Sequence, residues 1–163
     1  MSAKLNRSIN MKVLHLSDVT DTITGAGQIV KFTTSANMSG TPSTSYNSST
    51  GQITLPNVNC VLRAGLEFYK SAGTNEAYYI DVHWYDVTNS QYIGSRGRIK
   101  GYRPDIYYAA YDLTCDEEAV AVAQNIVVEC RIFAIQTSNQ TLVLDNAATY
   151  SGESRALIME YHP

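Results

Sequence analysis

Basic charge is in deficit in this sequence: twelve Lys and Arg against fifteen Asp and Glu leave a formal net charge of −3. A nucleic-acid-binding domain carries a basic field over at least one face, so nucleic acid is excluded as a partner. Long apolar runs are missing too. After Lys4 and Arg7, the opening MSAKLNRSIN passes into a few apolar residues mixed with His15, Ser17 and Asp18, which makes neither a secretory core nor a membrane span, so no membrane partner is expected. Cysteine is scarce. Cys60, Cys115 and Cys130 are odd in number and far apart. Disulfide frameworks and zinc sites show even counts or paired motifs, so the expectation is three reduced thiols, buried as small hydrophobes, in a protein assembled in a reducing cytoplasm. A Gly-rich phosphate loop, a HExxH helix, an EF-hand calcium loop and a Gly-X-Ser-X-Gly elbow are all absent. The sequence therefore predicts a non-enzyme with no cofactor, no metal site and no catalytic residues.

What is present is alternation. The 163 residues, 44% hydrophobic and 17% charged, are enough for one filled core and too few for two ordinary domains. Strand-like alternation recurs at 11–16, 28–34, 52–55, 61–69, 77–87, 92–99, 106–113, 119–136, 141–144 and 155–161, with no sustained helical period. About ten short strands in one unit predict an all-β fold, an antiparallel β-sandwich or jelly roll. Residues 1–20 read as an N-terminal arm with the first strand, and residues 21–163 as the sandwich domain. The Ser, Thr, Asn and Gly tract from Ser35 to Gly51 reads as an exposed loop.

The longest alternating run, from Glu118 to Thr137, reads as a strand with a partner on each side. One face holds Ile126, Val128, Cys130 and Ile132; the other holds Ala121, Ala123, Glu129, Arg131 and Phe133. In 77–87, Ile80, Val82 and Trp84 point to the core and leave Tyr79, Asp81, His83 and Tyr85 on the opposite face, an unusual number of rings for a solvated sheet. In the last strand Leu157, Met159 and Tyr161 alternate with Ala156, Ile158 and Glu160, so both faces are largely apolar. These three strands are expected side by side in one sheet whose outer face is a subunit interface. The predicted interface residues are Tyr79, His83, Tyr85, Ala121, Ala123, Glu129, Arg131, Phe133, Leu157, Met159 and Tyr161. Alanines would let strands approach closely, and Glu129 and Arg131 would either pair across subunits or form a solvated pair at a strand end.

Asp81 and His83 are the best case for catalysis, as a general base or, with Asp86 and His15, as metal ligands. Residues two apart on a strand are neighbours in any sheet, however, and no nucleophile can be placed beside them, so an interface histidine bonded to a carboxylate or tyrosine is the expected role. The segment Gly97–Asp112 concentrates Arg98, Tyr102, Arg103, Tyr107 and Tyr108. Rings with guanidinium groups suit contacts within the assembly, docking on another protein, or a saccharide.

Gly51-Gln52-Ile53-Thr54-Leu55-Pro56 followed by Ala64-Gly65-Leu66-Glu67-Phe68-Tyr69, and Tyr150-Ser151-Gly152 leading into Ala156-Leu157-Ile158-Met159-Glu160-Tyr161, resemble the short strand, aromatic strand and terminal strand of the tumour necrosis factor and complement globular-head superfamily. The resemblance covers roughly residues 27 to 163. It departs from the complement group in lacking a collagen-like stalk, and from secreted cytokines in lacking a signal or anchor. It implies a jelly-roll homotrimer whose terminal strand lines a threefold axis. Stalkless domains of this composition look like tailed-phage virion proteins, by general likeness. The expected function is thus a structural protein of the virion, a capsid decoration or cement protein or head fibre that stabilises the shell, with the major capsid protein or another virion protein as partner. Lys4, Leu5 and Arg7 in the arm would dock on that acidic acceptor. The alternative is a fibre or spike tip that binds a host surface glycan through Arg98, Tyr102, Arg103, Tyr107 and Tyr108.

Overall fold

Leu14 and Leu16 commit the first strand to the interior, and from there the chain runs through thirteen strands among the residues that the computed structural model describes: 10–19, 21–66, 68–73, 78–101, 113–120, 125–136, 140–144 and 154–162. In order they are β1 (Asn10–Ser17), β2 (Asp21–Thr22), β3 (Thr34–Ser39), β4 (Ser45–Asn47), β5 (Gln52–Leu55), β6 (Asn59–Leu66), β7 (Phe68–Gly73), β8 (Tyr78–Asp86), β9 (Gln91–Gly101), β10 (Leu113–Val120), β11 (Ile126–Gln136), β12 (Gln140–Leu144) and β13 (Arg155–His162). No helix occurs among the described residues. Two five-stranded sheets, β10-β6-β13-β1-β3 and β4-β5-β11-β8-β9, face one another, and β2-β12-β7 forms a small third sheet. Every strand pair is antiparallel. This is a β-sandwich of jelly-roll type, as the sequence predicts.

The inner faces of the two large sheets make the core. Leu14, Ile158 and Leu62 lie in one row across β1, β13 and β6, and Leu16, Ala156 and Ala64 in the next. Ile80, Val82 and Trp84 of β8 with Val128, Cys130 and Ile132 of β11 meet them from the other side. Cys60 and Cys130 are buried free thiols; burial, with Glu160 nearby, pushes the Cys60 thiol up to about 12, so it stays protonated and inert. Cys115 lies on β10, and its side chain is outside the described residues.

Several expectations fail here. The run from Glu118 to Thr137 is not one strand: β10 ends at Val120 in one sheet and β11 begins at Ile126 in the other. Nor do the three double-faced strands lie together, because β8 and β11 are neighbours while β13 is the centre of the opposite sheet. Alternation reports which face a residue takes, not which sheet receives it. The Ser35–Gly51 tract contains edge strands β3 and β4 rather than a loop throughout. Residues 28–33 form no strand of their own: they meet β11 through the bridge Ile29↔Arg131, with Val30 N–H donating to the Cys130 carbonyl (2.8 Å) and Ile132 N–H to the Gln28 carbonyl (2.9 Å), while Tyr46 donates its hydroxyl hydrogen to the Phe32 carbonyl (2.8 Å) and accepts from the Phe32 N–H (2.7 Å). The first strand expected over 11–16 is present as β1, which is paired on both sides, with β13 and β3, so any arm lies before residue 10. Residues 1–9 lie outside the described residues.

Gly51 ends the β4–β5 turn at φ +79, where its N–H donates to the Asn47 carbonyl, and a Cβ there would sit 2.6 Å from Ile29 Cγ2. Both backbone strain and steric conflict oppose any side chain. Gly51→Ala is expected to destabilise the fold by about 1–3 kcal/mol, read as a lower denaturation midpoint at unchanged slope.

Candidate functional site

Two irregularities on either side of β8 build the outward face of the β4-β5-β11-β8-β9 sheet. The β11–β8 register shifts between Ile132 and Ala134, and the β8–β9 register between Val82 and Trp84. A bulge re-aims the side chains around it. Phe133 and His83 sit at these two shifts and meet, with ring centroids 5.7 Å apart and nearly perpendicular. Gly94, at φ +74 within the β9 bulge, turns its carbonyl to His83 Nε2 at 2.9 Å. A carbonyl only accepts, so Nε2 carries the hydrogen.

From this centre rings and guanidinium groups spread across three strands. Tyr92 stacks on His83 at 4.9 Å and takes Phe133 and Tyr85 edge-on at 4.9 and 5.0 Å. The Arg131 guanidinium lies 3.7 Å over Tyr85, that of Arg96 5.2 Å over Phe133, and that of Arg98 4.6 Å over Tyr79. Such contacts contribute about 0.5–1 kcal/mol each at exposed sites. Carboxylates fix the arginines from below. Asp81, with no exposed surface, accepts from Arg98 Nε and Nη2 at 2.6 and 2.7 Å and lies 3.5 Å from Arg96 Nη1. The hydrogen bond from its carboxylate raises the Arg98 guanidinium above the ordinary arginine range, against the opposing effect of desolvation. Glu129, also buried, accepts from Arg131 Nε (2.7 Å) and Gln52 Nε2 (3.0 Å). What reaches solvent is Arg96 at 45%, Arg98 at 41% and Tyr92 at 39% exposure.

The opposite sheet turns a different surface outward. Register sets Val13, Met159 and Val61 side by side across β1, β13 and β6, then His15, Leu157 and Arg63, then Met11, Tyr161 and Asn59. The central positions are apolar, although this face points away from the core. The buried partner face ends in Glu160, whose carboxylate accepts from the Thr44 N–H at 2.5 Å and pairs with His162 Nε2 at 2.9 Å. Burial alone would raise its pKa; hydrogen bonds from Thr44, Ser43 and His162 overcome that and hold it below the ordinary glutamate value.

Of the residues singled out from sequence, Tyr79, His83, Tyr85, Glu129, Arg131, Phe133 and Arg98 come together on one sheet face, and Leu157, Met159 and Tyr161 on the other. Glu129 and Arg131 bond each other within one chain with Glu129 buried, so they are not a solvated pair at a strand end. Asp81 serves arginines rather than His83, Asp86 binds Asn89 through its N–H and side-chain amide (3.0 and 2.6 Å), and His15 lies on the other sheet. The general-base and metal arrangements are therefore not assembled. Ala121, Ala123, Tyr102, Arg103, Tyr107, Tyr108, Lys4, Leu5 and Arg7 lie outside the described residues. Tyr92, Arg96 and Gln52 were missed, since only the strand pairing brings them to the site.

No protein-family model matches the chain, and no curated protein sequence does. Similar solved structures include Eiger TNF from S. frugiperda (TM-score 0.55, 8% identity, covering 93% of this chain and 92% of that one) and murine APRIL at pH 8.0 (TM-score 0.52, 10% identity, covering 92% and 98%). At these identities the likeness is one of fold: the chain has a TNF-like jelly roll.

Proposed function

We propose that the chain is a non-enzymatic module that works as a homotrimer, closed through the outward face of the β10-β6-β13-β1-β3 sheet, and mounted on a phage particle as a capsid decoration or cement protein or a head fibre. The observation that carries the trimer is the row Val13–Met159–Val61, with Val13 buried within the chain and Met159 and Val61 half-buried, together with the exposed Met11 on its flank. A half-solvated antiparallel sheet puts polar residues outward, whereas this one is apolar on both faces at its centre. The two outward faces of one sandwich point in opposite directions, and contacts through both would propagate a filament instead of closing a ring. One face serves the axis, and the apolar one gains most by leaving water. The ring and guanidinium face would have to strip its arginines of water, so it stays on the outside of the trimer.

The virion setting rests on the compositional likeness given above, with residues 1–9 as the docking arm through Lys4, Leu5 and Arg7. A second reading, a receptor-binding tip that contacts a host glycan, is favoured by the exposed arginines and Tyr92 on the outer face. Light scattering of the purified protein is expected to give three times the chain mass of 18.0 kDa, and deletion of residues 1–9 to leave that trimer unable to bind particles. A single-chain mass at micromolar concentration overturns the trimer; retained particle binding overturns the arm.

A further inference from the structure

We infer that the outward face of the β4-β5-β11-β8-β9 sheet binds a carboxylated polysaccharide of polyuronate type; this rests on the receptor-tip reading and names its ligand class. Among the described side chains, three arginines and two carboxylates give the face a local excess of one positive charge on a chain whose net charge is −3, so it attracts acidic ligands that the rest of the surface repels. The guanidiniums are held in advance. Each lies over a ring and is tied from one side by Asp81 or Glu129. Of the five N–H donors on each arginine, Arg98 commits two to Asp81, and Arg96 and Arg98 are the more exposed pair, so a ligand carboxylate can be taken by the remaining donors without ordering a loose side chain.

The same geometry disfavours a protein partner. Protein interfaces centre on apolar anchors driven into dry pockets, whereas Phe133 is already enclosed by Arg96, Tyr92 and His83. The outermost groups are guanidiniums and the Tyr92 phenol, which suit a ligand made of hydroxyls and carboxylates.

The test is biolayer interferometry of the trimer on immobilised polygalacturonate and alginate, with dextran and poly-L-glutamate alongside. The expected result is binding to a polyuronate that weakens at 0.5 M NaCl and drops at least tenfold in Arg96→Gln and in Tyr92→Ala. Arg96→Lys, which keeps the charge without the fork, should fall between. Arg96 is exposed, so its variants should melt like the parent. Binding to dextran through the same residues overturns the acidic class and leaves the receptor reading standing. Binding to no polysaccharide overturns both. Poly-L-glutamate bound as tightly as polygalacturonate, or polyuronate binding unchanged in both variants, overturns the inference.

Discussion

Met159→Asp is expected to leave a folded single chain in place of the proposed trimer. Met159 sits on the central strand of its sheet, flanked in register by Val13 and Val61, and points away from the interior that Ile158 and Glu160 occupy. Met159 is half-buried in the lone subunit, where a carboxylate keeps part of its water and costs the fold less than it costs the assembly. In the trimer it would be buried without a partner, at about 3–5 kcal/mol for an uncompensated charge, and threefold symmetry repeats the cost in every subunit. Light scattering should report 18.0 kDa with the β-type circular dichroism retained, while Arg96→Gln on the opposite sheet leaves the mass unchanged. A Met159→Asp protein that stays trimeric would move the axis to another surface.

The second large effect concerns stability. Glu160→Ala is expected to cost about 3 kcal/mol, on the order of 10 °C in melting temperature for a chain of this size. The carboxylate is buried and ties the terminal strand to the segment between β3 and β4, 116 positions away in sequence. Truncation leaves the Thr44 N–H without an acceptor in a site closed to water. The pH dependence follows from the direction of the shift. The folded pKa is depressed below 4.5, so the stabilisation is complete above that value and is lost as pH falls through the folded pKa. Melting curves of the parent and Glu160→Ala should therefore differ at pH 7 and converge in acid. A gap that persists at the lowest pH at which both remain folded would mean that Glu160 acts through packing and not through its charge.

The inward faces could be read from the sequence because burial imposes a period of two: Ile80, Val82 and Trp84, and Ile126 to Ile132, are where that period puts them. The jelly-roll class followed from many such short segments. Edge strands escaped the same logic. β3 is exposed along its whole length, and a strand that buries neither face leaves no period to find. Asp81 illustrates a different gap. It was placed correctly on the outward face and is nonetheless fully buried, because Arg98 and Arg96 come across from β9 to cover it. That depends on the register between β8 and β9, and on a bulge that no residue count reveals. Glu160 likewise alternates with apolar neighbours as though misplaced, until Thr44 supplies its partner from the far end of the chain.

The pairing of β1 with β13 bears on how the domain can be joined to other things. Asn10 lies opposite His162, and partners in such a ladder have Cα atoms about 5 Å apart. Whatever precedes residue 10 and whatever follows residue 162 must leave through one corner of the sandwich. A short bridge between these two points would make the backbone circular, so new ends opened in the Val87–Ser90 turn would give a permuted chain of the same topology. By the same token, the whole unit could be spliced into a surface loop of a carrier protein without prising that loop apart.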